Sequence, residues 1–398
     1  MKNKVPKLRF PEFSGEWEEK KLGEIGKVSM CKRIMKDQTT VSGEIPFYKI
    51  GTFGKQADAF ITYELFNEYK SKYSYPAIGD ILLSASGTIG RTVIYDGKLA
   101  YFQDSNIVWI SNNEKLLKNN FLYYLYSNMN WTTEDTTIAR LYNNNLISMK
   151  VNIPFLPEQE KIASFLSKVD ESIEILEEEK ELWEKYKKGM MQKIFSQKLR
   201  FKDENGNDYP EWEEKILENI TDYVDYRGKT PTKTESGVFL VTAKNIKMGY
   251  IDYKTSKEFI SQESYDEAMR RGLPKIGDVL FTTEAPMGNV AQVDNENIAL
   301  AQRVIKFRGK SILNNTFLKY SFINDKFQNE LLNNAIGTTV LGIQGKVLHK
   351  MKINIPSLPE QEKIANFLSS IDEKIELIEK DLQGVKEFKK GLLQQMFV

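Results

Sequence analysis

The residues from Met149 to Phe195 align without a gap on Met351 to Phe397, and more than half of the positions are identical. A spacing of about 200 residues lies far above the roughly 20 to 50 of stacked repeats, so the fold has to be built from one large unit used twice. The unit extends beyond this tract. Leu8-Arg9-Phe10 and Trp17-Glu18-Glu19 return as Leu199-Arg200-Phe201 and Trp212-Glu213-Glu214. Each unit therefore has a leader, a body and a terminal tract.

The terminal tract reads as a helix with a seam. Apolar residues recur every seven positions, at Ile162, Val169, Leu176, Trp183 and Met190 in one copy and at Ile364, Ile371, Ile378, Val385 and Leu392 in the other. A second row follows three or four residues on, with Phe165, Leu166, Ile173 and Tyr186, then Phe367, Leu368, Ile375 and Phe388. Glu and Lys fill the other faces, which predicts two coiled-coil helices of about five heptads each. Pro157 and Pro359 stand in the first turn with acidic residues beside them, where a missing N–H costs little and the helix dipole favours negative charge. About 38 helical residues span roughly 57 Å, so each helix is a spacer as much as a core element.

The bodies, about residues 20–155 and 215–357, have diverged much further. Short apolar runs such as Asp80-Ile81-Leu82-Leu83 and Asp278-Val279-Leu280-Phe281, bounded by Gly and Asn, predict strands. One helix in each, at Asn119–Asn128 and Thr316–Asn324, makes the fold class α+β. Landmarks recur between the bodies: Pro76-Ala77-Ile78-Gly79-Asp80 answers Pro274-Lys275-Ile276-Gly277-Asp278, Gly90 answers Gly288 and Gln103 answers Gln302. A body that keeps its turns and varies its loops is what two differently tuned recognition domains look like.

Composition limits the function classes. With 398 residues, 41% hydrophobic and 28% charged, the chain can build two cores. It has no apolar run of about 18 residues and no signal-like N-terminus, so a cytoplasmic protein without a membrane partner is expected. The single cysteine, Cys31, forbids an internal disulfide and fits a reducing compartment. The helical tracts are acidic while the segments between them are basic, as expected if the bodies meet an anion such as DNA.

Catalytic chemistry lacks its parts. One histidine, His349, and one cysteine cannot form a metal cluster of either residue type, and His349 reads as a solvated side chain. Gly228-Lys229-Thr230 and Gly309-Lys310-Ser311 lack the first glycine of a phosphate loop. No Asn/Asp-Pro-Pro-aromatic tetrapeptide of an adenine methyltransferase occurs, and Ser86-Gly87-Thr88-Ile89-Gly90 reads as a tight hairpin turn. The acidic residues of Pro210–Lys215 are compressed into one turn and cannot converge on a metal as nuclease carboxylates do. The chain is expected to be non-catalytic, with no metal or cofactor of its own.

Recognition remains. Lys49, Lys55, Arg91, Arg140 and Asn144 in the first body, and Arg227, Lys229, Lys244, Asn245, Arg271 and Arg303 in the second, carry donors suited to phosphates and base edges. Arg or Lys matches the O6 and N7 acceptors of guanine, and Asn or Gln matches adenine. A scaffold whose bodies bind proteins is the alternative; it would lack the steep salt dependence that phosphate contacts impose.

The paired Ile-Pro-x-Leu-Pro-Glu-Gln-Glu-Lys-Ile-Ala-x-Phe-Leu tracts, the Ile-Gly-Asp-x-Leu landmarks and Gly87-Thr88-Ile89-Gly90 closely resemble the specificity subunit of type I restriction-modification systems. The second body departs at the last of these, with Ala285-Pro286-Met287-Gly288, which puts the equivalence of that loop in doubt. The resemblance implies target recognition domains at residues 1–155 and 199–357, and spacer helices at residues 156–198 and 358–398 that pair antiparallel under a pseudo-two-fold internal duplication. It further implies that each domain reads half of a split duplex sequence with an unread gap, at most about 17 base pairs for a 57 Å spacer. Partners implied are double-stranded DNA, two methyltransferase subunits holding S-adenosylmethionine, and restriction subunits using ATP and Mg.

Overall fold

The computed structural model describes residues 4–129, 131, 140–226 and 231–398 of the chain. Arg227 and Lys229 lie outside the described residues. The chain divides into two compact units, Met1–Glu177 with Lys380–Val398, and Glu178–Glu379. The helices Leu156–Phe195 and Leu358–Met396 each contribute a segment to both units.

The first unit's body is built on an antiparallel sheet ordered Gly26–Ser29, Ile107–Asn112, Ile81–Ser84, Thr92–Ile94. A smaller sheet joins Phe60–Ile61, Ile45–Tyr48 and Tyr101–Phe102, the last pair parallel. The second unit repeats both: Thr221–Asp225, Val304–Gly309, Val279–Thr282, Val290–Gln292, and then Phe259–Ile260, Val238–Val241, Ile298–Leu300 with an added edge strand Lys233–Thr234. Helices Asn119–Asn128 and Asn315–Ile323 follow at equivalent places, within a residue of the sequence expectation. The helices Tyr63–Lys72, Gln262–Ala268 and Asp325–Asn333 add to what the sequence suggested.

The recurring Pro-x-Ile-Gly-Asp landmark now has a cause. Gly79 and Gly277 adopt φ of +90° and +86°, a region that costs a residue with a Cβ. The aspartate closes the same turn, Asp80 accepting from the Ala77 N–H at 2.8 Å and Asp278 from that of Lys275 at 2.9 Å. Burial pushes the Asp80 carboxyl above its ordinary value. Asp278 instead carries a bidentate Arg308 at 2.6 and 2.7 Å.

Each long helix is docked by the residues that made its start recognisable. Glu158 is buried and takes both Arg9 Nε and Nη2 at 2.7 Å, and the Trp17 indole N–H at 3.3 Å, so the leader is tied to the helix. Glu360 does the same for Arg200, at 3.2 and 2.9 Å. Gln159 and Gln361 are also buried, each accepting from the backbone N–H that enters the body's helix, at Lys118 and Asn314. The Glu-Gln pair is therefore a docking device, beyond the helix-dipole role that its place in the first turn suggests.

Within each unit the two helix segments run antiparallel. In the first, Glu177 meets Lys386 at 2.6 Å and Asp170 pairs with Lys389; in the second, Lys180 meets Glu379 at 2.6 Å and Lys187 meets Asp372 at 2.5 Å. As the number rises on one helix it falls on the other. Ile162, Val169, Ile364, Ile371, Ile378 and Leu392 are buried, each worth about 1.5–3 kcal/mol of transfer free energy if fully removed from water. Leu176, Trp183, Met190 and Val385 are half-buried, and the second-row Tyr186 and Phe388 face solvent. The strict heptad thus closes unevenly between the two copies: Ile378 and Leu392 are buried where their counterparts Leu176 and Met190 are half-buried.

Two further ties recur. The Tyr124 hydroxyl donates to Asp170 at 2.8 Å and the Tyr320 hydroxyl to Asp372 at 2.6 Å, linking each body to the helix pair through an aspartate already held by a lysine. The end of each long helix packs on a leader tryptophan: Phe397 on Trp17 and Phe121, Phe195 on Trp212 and Phe317.

Candidate nucleic-acid interface

The strongest candidate surface lies where each main sheet ends in a hairpin. In the first body Ser84 and Arg91 close the turn Ser86–Gly90, the Ser84 hydroxyl accepting from the Arg91 N–H at 2.9 Å. In the second, Thr282 accepts from the Asn289 N–H at the same distance. Gly87 and Ala285 occupy equivalent left-handed positions, with φ of +64° and +51°. The departure from Gly-Thr-Ile-Gly therefore keeps the turn's closing bond and its left-handed entry, at the strain of placing alanine where glycine is at ease, while the Ala285–Pro286 peptide is cis.

Beside this hairpin the frame repeats bond for bond. The Ala85 N–H donates to the Asn106 carbonyl and the Leu141 N–H to the Ala85 carbonyl, both at 2.7 Å. The Thr283 N–H donates to the Arg303 carbonyl and the Ile343 N–H to the Thr283 carbonyl, both at 3.0 Å. Ser86 thus stands where Glu284 stands, and Asn106 where Arg303 stands. The side chains differ: the Ser86 hydroxyl donates to Asn106 Oδ1 at 2.9 Å, whereas Arg303 and Glu284 form an ion pair, with Nε 2.8 Å from the carboxylate. In the second body this pair opens on a cleft of about 490 Å³ lined also by Thr283, Gln302, Gln344 and the segment 336–343. The frame also corrects one landmark. Gln103 and Ala301 make the same bond, to the Tyr48 and Val241 carbonyls, so Gln302 lies one residue beyond the position of Gln103.

Of the residues the sequence singled out, three gather around the turn at residues 49–55. Lys49 pairs with Asp58 at 2.8 Å, Lys55 is exposed, and Arg91 donates to the Phe53 carbonyl at 2.9 Å. Arg140 is exposed and bridges the Ser86 backbone, with Tyr142 below it at 5.8 Å; Asn144 is exposed on the short helix Asn143–Ser148. Lys244 is exposed, and Arg271 donates to the Asp225 carbonyl at 2.8 Å. Asn245 is fully buried, its amide bonded to Thr242, Asp252 and Ser256, so it holds its own loop and presents nothing to a duplex. Among the described residues of this set, Arg303 alone lines the cleft. Asn106 was hidden as the counterpart of Arg303 by a turn one residue longer in the first body, whereas Ser86 and Glu284 keep the register of the hairpin and read only as turn residues. His349 is not solvated: it is buried and stacked on Tyr223, centroids 3.4 Å apart.

A family model described as the type I restriction modification DNA specificity domain matches residues 14–185 and again residues 211–387. The chain belongs to this family. It is similar to a putative type I restriction enzyme specificity subunit of Haemophilus influenzae, 62% identical over 37% of this chain and 39% of that protein. It is also similar to the type I restriction enzyme MjaVIII specificity subunit of Methanocaldococcus jannaschii, 29% identical over 79% of this chain and 77% of that protein. The crystal structure of a type I system S subunit from M. genitalium shares the fold, with a TM-score of 0.61 at 16% identity, covering 99% of both chains. Two copies of the specificity domain on one chain account for the duplicated framework, and the antiparallel helix segments belong to the same specificity-subunit architecture.

Proposed function

We propose that this chain is the DNA-reading subunit of a type I restriction-modification complex, and that its two bodies read the two halves of a split sequence around an unread gap. The observation that carries this is one backbone frame presented twice with different polar side chains at the same place, in a chain of the DNA specificity family. Steep salt dependence of binding separates this reading from a protein-binding scaffold. The chain positions chemistry that its partners perform. An adenine methyltransferase subunit would supply S-adenosylmethionine and take the target base out of the stack, and restriction subunits would supply the ATP- and Mg-dependent steps.

Two methyltransferase subunits suit a duplicated helix. Ile175 and Leu377 stand at equivalent positions of the two repeats and are 56% and 59% exposed, as apolar side chains awaiting a partner would be. A split adenine-methylation motif, mapped by single-molecule sequencing in cells expressing this chain with its methyltransferase partner and absent without the chain, is the expected result. An assembled complex that adds no motif would refute the proposal. The setting is proposed to be cytoplasmic; among the described residues no helix is long and apolar enough to cross a membrane.

A further inference from the structure

The repeated frame points to individual base readers. Arg303 is half exposed at the mouth of its cleft and is tethered through Nε to Glu284, itself half exposed. The tether engages one edge of the guanidinium and leaves its two terminal nitrogens as a planar fork. Such a fork matches guanine O6 and N7, and holding it in place beforehand reduces the rotamer freedom lost on binding. At the equivalent place Asn106 is half-buried, and its Oδ1 accepts from Ser86. That oxygen keeps a second lone pair and the amide nitrogen keeps its donors, the set that pairs with adenine N6 and N7.

We propose that Asn106, aimed by Ser86, reads an adenine in the half-site of the first body, and that Arg303, aimed by Glu284, reads a guanine in the half-site of the second. This rests on the DNA-reading function proposed above. It also explains why the hairpin and the neighbouring bonds persist while the pair changes: the frame delivers a side chain to one point, and the identity of the side chain selects the base.

The test uses the full chain assembled with its methyltransferase partner and a panel of duplexes in which each base of both half-sites is substituted in turn. The native complex should prefer guanine at one position of one half and adenine at one position of the other, by roughly 5- to 150-fold for a bidentate contact. Arg303→Gln should abolish the guanine preference and leave the other half unchanged. Asn106→Ala should do the converse. The exchange Ser86→Glu with Asn106→Arg should convert the adenine preference to guanine, and circular dichroism would establish that each variant is folded. Loss of affinity for all sequences alike with Arg303→Gln, with the motif intact and the salt dependence shallower, would assign Arg303 to phosphate and overturn the proposal. A relaxed base in the wrong half would overturn it too. A native complex that prefers no sequence would instead overturn the DNA-reading function itself.

Discussion

Replacing Glu158 by Gln removes one charge from a buried site without changing its size. Arg9 Nε and Nη2 both lie 2.7 Å from the carboxylate, and the Trp17 indole adds a third donor at 3.3 Å. Hydrogen bonds to charged groups contribute about 1.5–3 kcal/mol each, but an amide keeps one acceptor and turns its NH2 toward Arg9, so the net loss is about 3 kcal/mol. That loss should raise the opening equilibrium of the leader about 150-fold. Because a two-unit chain need not unfold in one step, a local probe is required. Hydrogen exchange of the Leu8 and Trp17 amides, bonded to Gln395 and Lys4 carbonyls at 2.9 Å, provides one. At the equivalent site Arg200 sits at 2.9 and 3.2 Å from Glu360 and also reaches Glu211 at 3.3 Å. Glu360→Gln should therefore accelerate its own leader by only about tenfold, near 1.4 kcal/mol. Unchanged protection of Leu8 and Trp17 in Glu158→Gln, or equal effects of the two variants, would refute the docking role.

Ile378 is buried and Leu176 half-buried, so Ile378→Asp should destabilise its unit by several kcal/mol and Leu176→Asp by clearly less in urea titrations followed by unit-specific exchange; equal losses would contradict the uneven seam. Burial pushes the Cys31 thiol up to about 12 from 9.0, so it should resist alkylation at pH 8 until denaturant is added; reaction at the rate of a free cysteine would contradict its burial. Because that thiol stays protonated when folded, its contribution to stability is complete below pH 9 and is lost as pH rises toward 12. Lys319 is held below its ordinary value by burial, so its charge opposes folding at neutral pH and stability should rise as pH climbs from that lowered value toward the unfolded one. Lys319→Met should remove that rise without lowering the melting temperature, since Asp372 keeps Lys187 and Tyr320; a loss of more than about 1 kcal/mol would show the lysine to be a net stabiliser.

Sequence by itself determined the duplication, the extent of the two helices, the turns at Gly79 and Gly277 and the hairpin at residues 86–90. All are local or periodic: a helix start, a heptad, or a glycine at positive φ is written in adjacent residues and survives divergence of everything around it. It also identified the family, because the docking residues Glu158, Gln159, Glu360 and Gln361 are retained in both copies. What those residues touch was not legible, since Arg9 and Glu158 are far apart in sequence and nothing in either names the other. Tertiary structure decided which heptad positions close, buried His349 against Tyr223, and turned Asn245 inward. Above all it brought Ser86 to Asn106 and Glu284 to Arg303. Those pairs flank the ends of strands that meet only when the sheets form, and a turn of unequal length shifts one against the other in sequence while the hydrogen bonds hold them level in space.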